Sequence, residues 1–135
     1  MSQENVVLVR SIYAAWERGH FEETDWVHPE IDFQVIGDTP SAGRWRGLEA
    51  MANSWREWLN AWEGFQVEAV EYRRLDEDRV LVLGRFGGRG KASGVEIGQV
   101  WTKAASVFQI RDGKVTRLAL YTDHKRALAD LGLSE

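Results

Sequence analysis

The chain has 135 residues, of which 44% are hydrophobic, so it fits one domain and can bury a core. Its formal net charge of −4 and the lack of a long basic run argue against nucleic acid as a partner. With no cysteine, no signal-peptide pattern and no long apolar run, we expect a cytoplasmic protein without disulfides, thiolate metal ligands or a membrane partner.

The N-terminal part of the chain predicts two helices. The first runs from about residue 4 to Gly19, because apolar residues recur at helical spacing and a glycine then stops the pattern. These apolar residues are Val6, Val9, Ile12, Tyr13 and Trp16. The segment FEETDWVH, residues 21–28, predicts a short acidic second helix. Pro29 must end it, since the residue before a proline avoids the helical region.

A strand, a loop and a long helix follow. IDFQVI, residues 31–36, alternates apolar and polar side chains as a half-buried strand does, and GDTPSAG predicts a loop. From Leu48 to Glu63, one apolar stripe marks a face of a long helix. The stripe consists of Leu48, Met51, Ala52, Trp55, Leu59 and Trp62.

The second half of the chain predicts a meander of long strands. Acidic residues at 76–78, the glycine-rich segment GRFGGRGKASG and the sequence RDG supply the turns. The predicted strands cover residues 65–75, 79–86, 95–110 and 114–121. Helices followed by such a meander argue for a single α+β domain over residues 1–135, with the sheet curling over the helices.

Several segments resemble a known group of folds. They are IYAAWERGHFE, VHPEIDF, RWRGLEAM, IRDGKV and YTDHKRALADLG. Their order is similar to the cone-shaped fold of ketosteroid isomerase, nuclear transport factor 2, scytalone dehydratase, limonene epoxide hydrolase and the SnoaL-like polyketide cyclases, and most similar to the last. The resemblance implies a curved mixed sheet wrapped over three N-terminal helices, a short C-terminal helix, and a ligand inside the cone. It implies no particular reaction.

The catalytic residues of these relatives have no counterpart in this chain. Aligned on the isomerase, Gln34 falls at its carboxylate base, Ser106 at its hydrogen-bonding acid and Ile12 at its tyrosine. The arginine and two aspartates of limonene epoxide hydrolase fall on Ala104, Ser106 and Leu120, and the acid of the cyclases also falls on Leu120. An activity would therefore need residues of its own.

Asp32 and Arg85 are the charged residues that the resemblance places inside the cone. Leu83 and Arg85 share one face of their strand, and Asp32 shares a face with Gln34. In a pocket, Asp32 with a raised pKa would shuttle a proton, and Arg85 would hold an anionic ligand group. The alternative is structural: Arg85 pairs with an acid such as Asp32 or extends to solvent.

The remaining pocket candidates are apolar or aromatic. Trp55 lies on the long helix, either as core filling or stacked on a flat ligand. Trp45 stands before that helix, where it would cover the mouth of the cone. The expected ligand-binding residues are Ile12, Trp16, Gln34, Trp55, Leu83, Ser106, Phe108 and Leu120.

Asp123 and the three histidines could in principle take part in chemistry, but their sequence context favours other roles. Asp123 precedes the amphipathic segment HKRALADLG, where an aspartate is a preferred helix N-cap, so we predict a cap rather than a catalyst. His20, His28 and His124 have no metal-ligand spacing, and the glycine-rich segment does not match a nucleotide-binding loop. We expect no metal and no cofactor.

Three functions compete at this point. The first is a SnoaL-like protein that binds a small, largely apolar, anionic or enolisable molecule. The second is an isomerase, cyclase or hydrolase that uses Asp32 and Arg85. The third is a dimerising domain in which large side chains such as Trp55, Phe108 and Leu120 fill the cone. A cavity of roughly 300 Å³ or more with few polar groups would separate the first two from the third.

We also expect a homodimer that forms through the outer face of the sheet. Trp101, Val107 and Tyr121 alternate with Ser106 and Leu120, so they lie on the side opposite the cone interior. A sheet face with aromatic side chains that no helix covers needs another cover.

Overall fold

The computed structural model describes residues 2–37, 42–90 and 100–133. Its elements are α1 (Ser2–Glu17), β1 (Val27–Ile36), β2 (Gly43–Arg46), α2 (Leu48–Asn60), β3 (Trp62–Arg74), β4 (Arg79–Gly90), β5 (Val100–Arg111), β6 (Lys114–Tyr121) and α3 (His124–Asp130). The strands form one curved six-stranded sheet in the order β2-β1-β6-β5-β4-β3. Strands β1 and β6 pair in parallel and the other neighbours pair antiparallel. The predicted α+β architecture is confirmed.

The sheet separates two apolar clusters because successive side chains of a strand point to opposite faces. The inner cluster includes Val9, Tyr13, Phe33, Val82 and Phe108, and packs against α1 and α2. The outer cluster includes Leu81, Ala105, Tyr121, Ala127 and Leu128, and so brings α3 against the convex face. Both faces of the sheet centre are therefore covered within one chain.

Strand β3 is an edge strand with an irregularity that α1 supports. Its register with β4 shifts between Ala69 and Glu71. The Ala69 backbone N–H donates to Glu17 Oε2 at 3.1 Å, and Arg10 lies over the Tyr72 ring at 4.4 Å. Such bulges bend a strand, and here the bend curves β3 around the helix.

Three local predictions differ from the structure. FEETDWVH is not helical: Val27 N donates to Thr24 O at 3.0 Å in a turn, and β1 begins at Val27. Pro29 lies inside β1, where the register with β6 shifts, so its missing N–H breaks no regular ladder. Helix α2 ends at Asn60 rather than residue 63, and the short strand β2 was not predicted. The tip of the glycine-rich segment, residues 91–99, lies outside the described residues.

The outer sheet face at Val107 and Tyr121 is covered within the chain, although the homodimer was predicted from an uncovered face. Val107 and Tyr121 do lie on the outer face, but they pack in the cluster that α3 completes. Tyr121 is only 7% exposed, and its hydroxyl donates to Asp130 of α3 at 3.2 Å. The Trp101 side chain lies outside the described residues. The homodimer stays a prediction, which the mass in solution tests.

Asp123 is the N-cap of α3, as predicted. Its carboxylate accepts from the Lys125 backbone N–H at 3.0 Å, and its own backbone is extended. The helix is short, so most of its stability comes from the packing of Ala127 and Leu128 on the sheet.

Replacing Asp123 by alanine should destabilise the protein by about 1 kcal/mol, because the capping oxygen is lost. Urea unfolding followed by circular dichroism measures the change. Asp123→Asn is the matched control, since asparagine caps as well as aspartate and should retain parental stability. Equal losses in both variants would contradict the capping role.

Candidate functional site

A cavity of about 260 Å³ lies between the concave sheet face and helices α1 and α2. Nearly half of its lining residues are aromatic. The aromatic lining residues on or next to the helices and on the inner strand positions are Tyr13, Trp16, Phe33, Trp45, Trp55, Trp58, Phe65 and Phe86. The cone is thus not completely filled by its own side chains.

The cavity exists because the sheet carries small residues at one level of its concave face. Gly84 pairs with Ala104 across β4 and β5, and both line the cavity. The next row of inward positions consists of Val82 on β4, Ser106 on β5 and Leu120 on β6, so two of its three side chains are larger. At Gly84 even a Cβ atom would lie 2.4 Å from the Glu68 backbone oxygen. Close packing of β3 on β4 therefore requires glycine there.

The aromatic walls are held by contacts among themselves. The Trp16 ring lies 5.2 Å from that of Trp55, and Phe33 lies 5.7 Å from both Trp45 and Trp55. A second group joins the end of α2 to β3 and β4. Its four rings, Trp58, Trp62, Phe65 and Phe86, all lie within 5.4 to 6.1 Å of one another. These distances are typical of favourable aromatic pairs, so the walls are preformed.

A pair of buried hydroxyls adjoins the cavity through Tyr13. Tyr13, which lines the cavity, and Ser106 have their oxygens 2.7 Å apart. Tyr13 is 8% exposed and Ser106 is fully buried. Burial raises the pKa of Tyr13, although the bond to Ser106 acts in the opposite direction, so the phenol stays protonated at neutral pH. Two hydroxyls carry two hydrogens and their mutual bond uses one, which leaves one O–H to donate.

The structure places Asp32 and Gln34 outside the cone. On β1 the buried residues Ile31 and Phe33 face the helices, so the residues between them face outward. Asp32 binds Arg44 through two hydrogen bonds, of 3.0 and 2.6 Å. The Arg44 bond holds its pKa below the ordinary value, against the effect of desolvation. The prediction that Asp32 faces the cone interior with a raised pKa is therefore wrong. Its side chain faces outward, and its pKa is lowered.

Leu83 and Arg85 also project from the outer side of β4. Val80 and Val82 belong to the inner cluster, whereas Leu83 packs with the outer one. Arg85 borders the cavity, but its guanidinium is 42% exposed and binds Glu68 on the neighbouring strand at 3.1 Å. Arg85 thus pairs with an acid, Glu68 rather than Asp32, while it borders the cavity.

The other predicted ligand-binding residues divide into two groups. Trp16, Trp55 and Leu120 line the cavity, and so does Trp45. Ile12, Ser106 and Phe108 are buried in the core and do not belong to the lining. The prediction missed several wall residues, of which Phe33, Val35 and Gly84 are examples. For Phe33 and Val35 the signal was present, because an alternating strand turns its apolar side to the core.

Among residues 2–37, 42–90 and 100–133, no group of three His, Cys, Asp or Glu side chains is placed to hold a metal ion. In that same part of the chain, no helix is long and apolar enough to span a membrane.

Comparison with solved structures identifies the fold class. A proposed polyketide cyclase from Xanthomonas campestris pv. campestris superposes with a TM-score of 0.74 at 19% identity, over 96% of this chain and 98% of that one. An NTF2-like protein from Burkholderia thailandensis gives 0.74 at 20% identity, over 96% and 97%. TerC, co-crystallised with polyporic acid, gives 0.69 at 19% identity, over 94% and 96%. The chain has the NTF2-like fold.

A family model narrows this class. The model of the SnoaL-like domain matches residues 9–118. The chain therefore belongs to the SnoaL-like domain family, as its sequence motifs implied. No curated protein matches it at a significant level.

The ion pair of Asp32 predicts a pH effect on stability. Its pKa is lower in the folded chain than the ordinary value of about 3.9, so the ionised form stabilises the fold above about pH 4. This contribution is lost as the pH falls through the folded-state pKa. The difference in unfolding free energy between the parent and Asp32→Asn should be largest near neutrality and should narrow toward about pH 2. Urea unfolding at several pH values measures it.

Arg44→Gln provides the companion variant, because it removes the same ion pair from the other side. The difference in unfolding free energy between the parent and Arg44→Gln should also be largest near neutrality and become smaller toward acid pH. A difference from the parent that stays constant from neutral to acid pH in both variants would refute the role of the pair.

Proposed function

We propose that this protein binds a small, flat, largely apolar molecule in the cone cavity and directs a hydrogen-bond acceptor of that molecule toward the Tyr13–Ser106 pair. The observation that carries the proposal is an aromatic-walled cavity lined by Tyr13, whose buried hydroxyl is hydrogen-bonded to that of Ser106. Ligand sites are commonly apolar cavities with a few fixed polar groups.

The shape and size of the cavity select the ligand. Its volume of about 260 Å³ is slightly below the range of about 300 to 1,000 Å³ typical of ligand sites. A compact ring system therefore suits it better than a long chain. Trp16 and Trp55 on the helix side face the small residues Gly84 and Ala104 on the sheet side. A planar molecule between them would contact aromatic faces on one side and the sheet on the other.

The hydroxyl pair sets the polarity of the ligand beside Tyr13. A buried O–H without an acceptor is destabilising by roughly 1 to 3 kcal/mol. A carbonyl, enol or phenolic oxygen would accept it. Because burial raises the pKa of Tyr13, its phenol remains a donor over the whole physiological range of pH. Selectivity for ligands with such an oxygen follows.

The structural relatives are compatible with this ligand class. One is a proposed polyketide cyclase, and TerC was co-crystallised with polyporic acid. These structures are about 20% identical in sequence to this chain, so they support the fold only. The ligand class is inferred from the cavity itself.

The two alternatives are supported less well. The enzyme built on Asp32 and Arg85 lacks its acid, because Asp32 lies outside the cavity and binds Arg44, while Arg85 borders the cavity and binds Glu68. The filled-core domain is supported less well because a cavity of about 260 Å³ remains between the helices and the sheet, a volume slightly below the roughly 300 Å³ expected of a ligand site. Binding without assigned catalysis is the function that the described residues support.

A bicyclic pair of probes tests the proposal. 1-Tetralone carries a ketone, and tetralin has the same rings without it. The parent should bind 1-tetralone more tightly, as measured by quenching of tryptophan fluorescence. Tyr13→Phe should bring the two affinities together, since one hydrogen bond contributes about 0.5 to 1.5 kcal/mol, or roughly twofold to twelvefold.

Ala104→Phe should abolish binding of both probes, because the new ring would occupy the cavity beside Gly84. Val70→Phe is the matched control: it adds the same ring on β3 at a position that is 69% exposed, and it should bind like the parent. Unchanged binding by Ala104→Phe would place the probes outside the cavity and overturn the proposal.

A further inference from the structure

We propose a second binding site, on the outer face of the sheet, for the phosphate group of a soluble ligand. The site is an arginine patch formed by Arg44 and Arg46 of β2 and Arg117 of β6, which surround Asp32 of β1. It is separate from the cone cavity and does not depend on the function proposed for it.

Strand register brings the three arginines together. Arg46 and Arg117 are the direct partners of Asp32 on its two neighbouring strands, and Arg44 lies one pleat further along β2, opposite Gln34. Asp32 Oδ2 lies 2.6 Å from Arg44 Nη2 and 3.9 Å from Arg117 Nε. The Asp32 side chain is 19% exposed, whereas Arg44 and Arg117 are 62% and 51% exposed. The acid thus lies beneath a layer of guanidinium groups.

The patch carries more positive charge than its acid neutralises. Three other arginines of the sheet each bind a neighbouring carboxylate: Arg73 binds Glu71, Arg79 binds Asp76 at 2.8 Å, and Arg85 binds Glu68 at 3.1 Å. Within the described part of the chain, the ion pairs of these arginines are to Asp32, which lies 2.6 Å from Arg44 and 3.9 Å from Arg117 and has Arg46 as its strand partner. Taken together, these four side chains carry two net positive charges, on a chain whose net charge is −4.

A phosphate ester matches this excess. Near neutral pH it carries about 1.5 to 2 negative charges and three acceptor oxygens. Guanidinium groups present planar pairs of donors that fit phosphate oxygens. Asp32 fixes the Arg44 guanidinium through Nε and Nη2, which leaves its remaining N–H groups directed elsewhere. A ligand with a single carboxylate would leave part of the positive charge unbalanced.

The patch lies behind the cavity and not within it. Phe33 and Trp45 alternate with the patch residues on β1 and β2, and they line the cavity from the inner face. Blocking one site should therefore leave the other intact, so the two proposals can fail independently.

Isothermal titration with pyrophosphate at low ionic strength tests the site. The parent should bind, and Arg46→Gln/Arg117→Gln should bind at least about fivefold more weakly, because two exposed charge-assisted contacts are lost. Arg73→Gln/Arg79→Gln is the control, since it changes the net charge equally but removes arginines that have their own acids. It should bind within about twofold of the parent.

Two results would overturn the proposal. One is a parent affinity no higher than that of the patch variant, and the other is an equal loss in the control variant, which would reflect net charge alone. Vesicles containing phosphatidic acid form a separate arm. Binding to these vesicles without binding to soluble pyrophosphate would assign the patch to a membrane surface and would also refute the site as stated.

Discussion

The packing of the Trp16 indole is the interaction on which the arrangement of the inner face depends. Its ring lies 4.9 Å from Tyr13, 5.2 Å from Trp55, 5.9 Å from Trp26 and 6.1 Å from Phe108. It is 3% exposed, yet it also forms part of the cavity wall. One side chain therefore joins α1, the turn before β1, α2 and β5, and core stability and cavity shape share the same contacts.

The cavity depends equally on the small side chains of the concave sheet face. A concave face built throughout from residues of the size of Leu120 would meet the helices directly, as close packing requires. Gly84 and Ala104 interrupt that packing. The rigid aromatic walls then keep the space from collapsing, since a side chain such as Trp55 is held by several rings at once. A void of this kind lowers stability, so its presence is a reason to look for a ligand.

Periodicity predicted the fold well because each long element has a strong local pattern. The stripe of α2, the alternation of β6 and the cap at Asp123 all depend on neighbours in sequence. FEETDWVH failed because its outcome is tertiary: Trp26 packs against Trp16, and β1 pairs with β6 from Val27 onward. A backbone pairing between residues far apart in sequence overrides local propensity.

The candidate site was predicted less well, for a different reason. Alignment to distant relatives placed Asp32 and Arg85 inside the cone, although the alternation on β1 already assigned the apolar side, with Phe33, to the interior. A shift of one residue exchanges the two faces of a strand. The Tyr13–Ser106 pair joins residues from α1 and β5, and no sequence spacing reveals such a contact.

The bulged edge strand β3 has a consequence for the behaviour of the chain in crowded solution. A long unpaired edge offers free N–H and C=O groups to any other extended chain, and that is a route to aggregation. Here the register shift after Ala69 breaks the regular spacing of those groups, and Glu17 already occupies one N–H. The ion-paired side chains of Glu71 and Arg73 stand on the same stretch. Strand β3 can thus remain long enough to wall the cone without serving as a template for further strands.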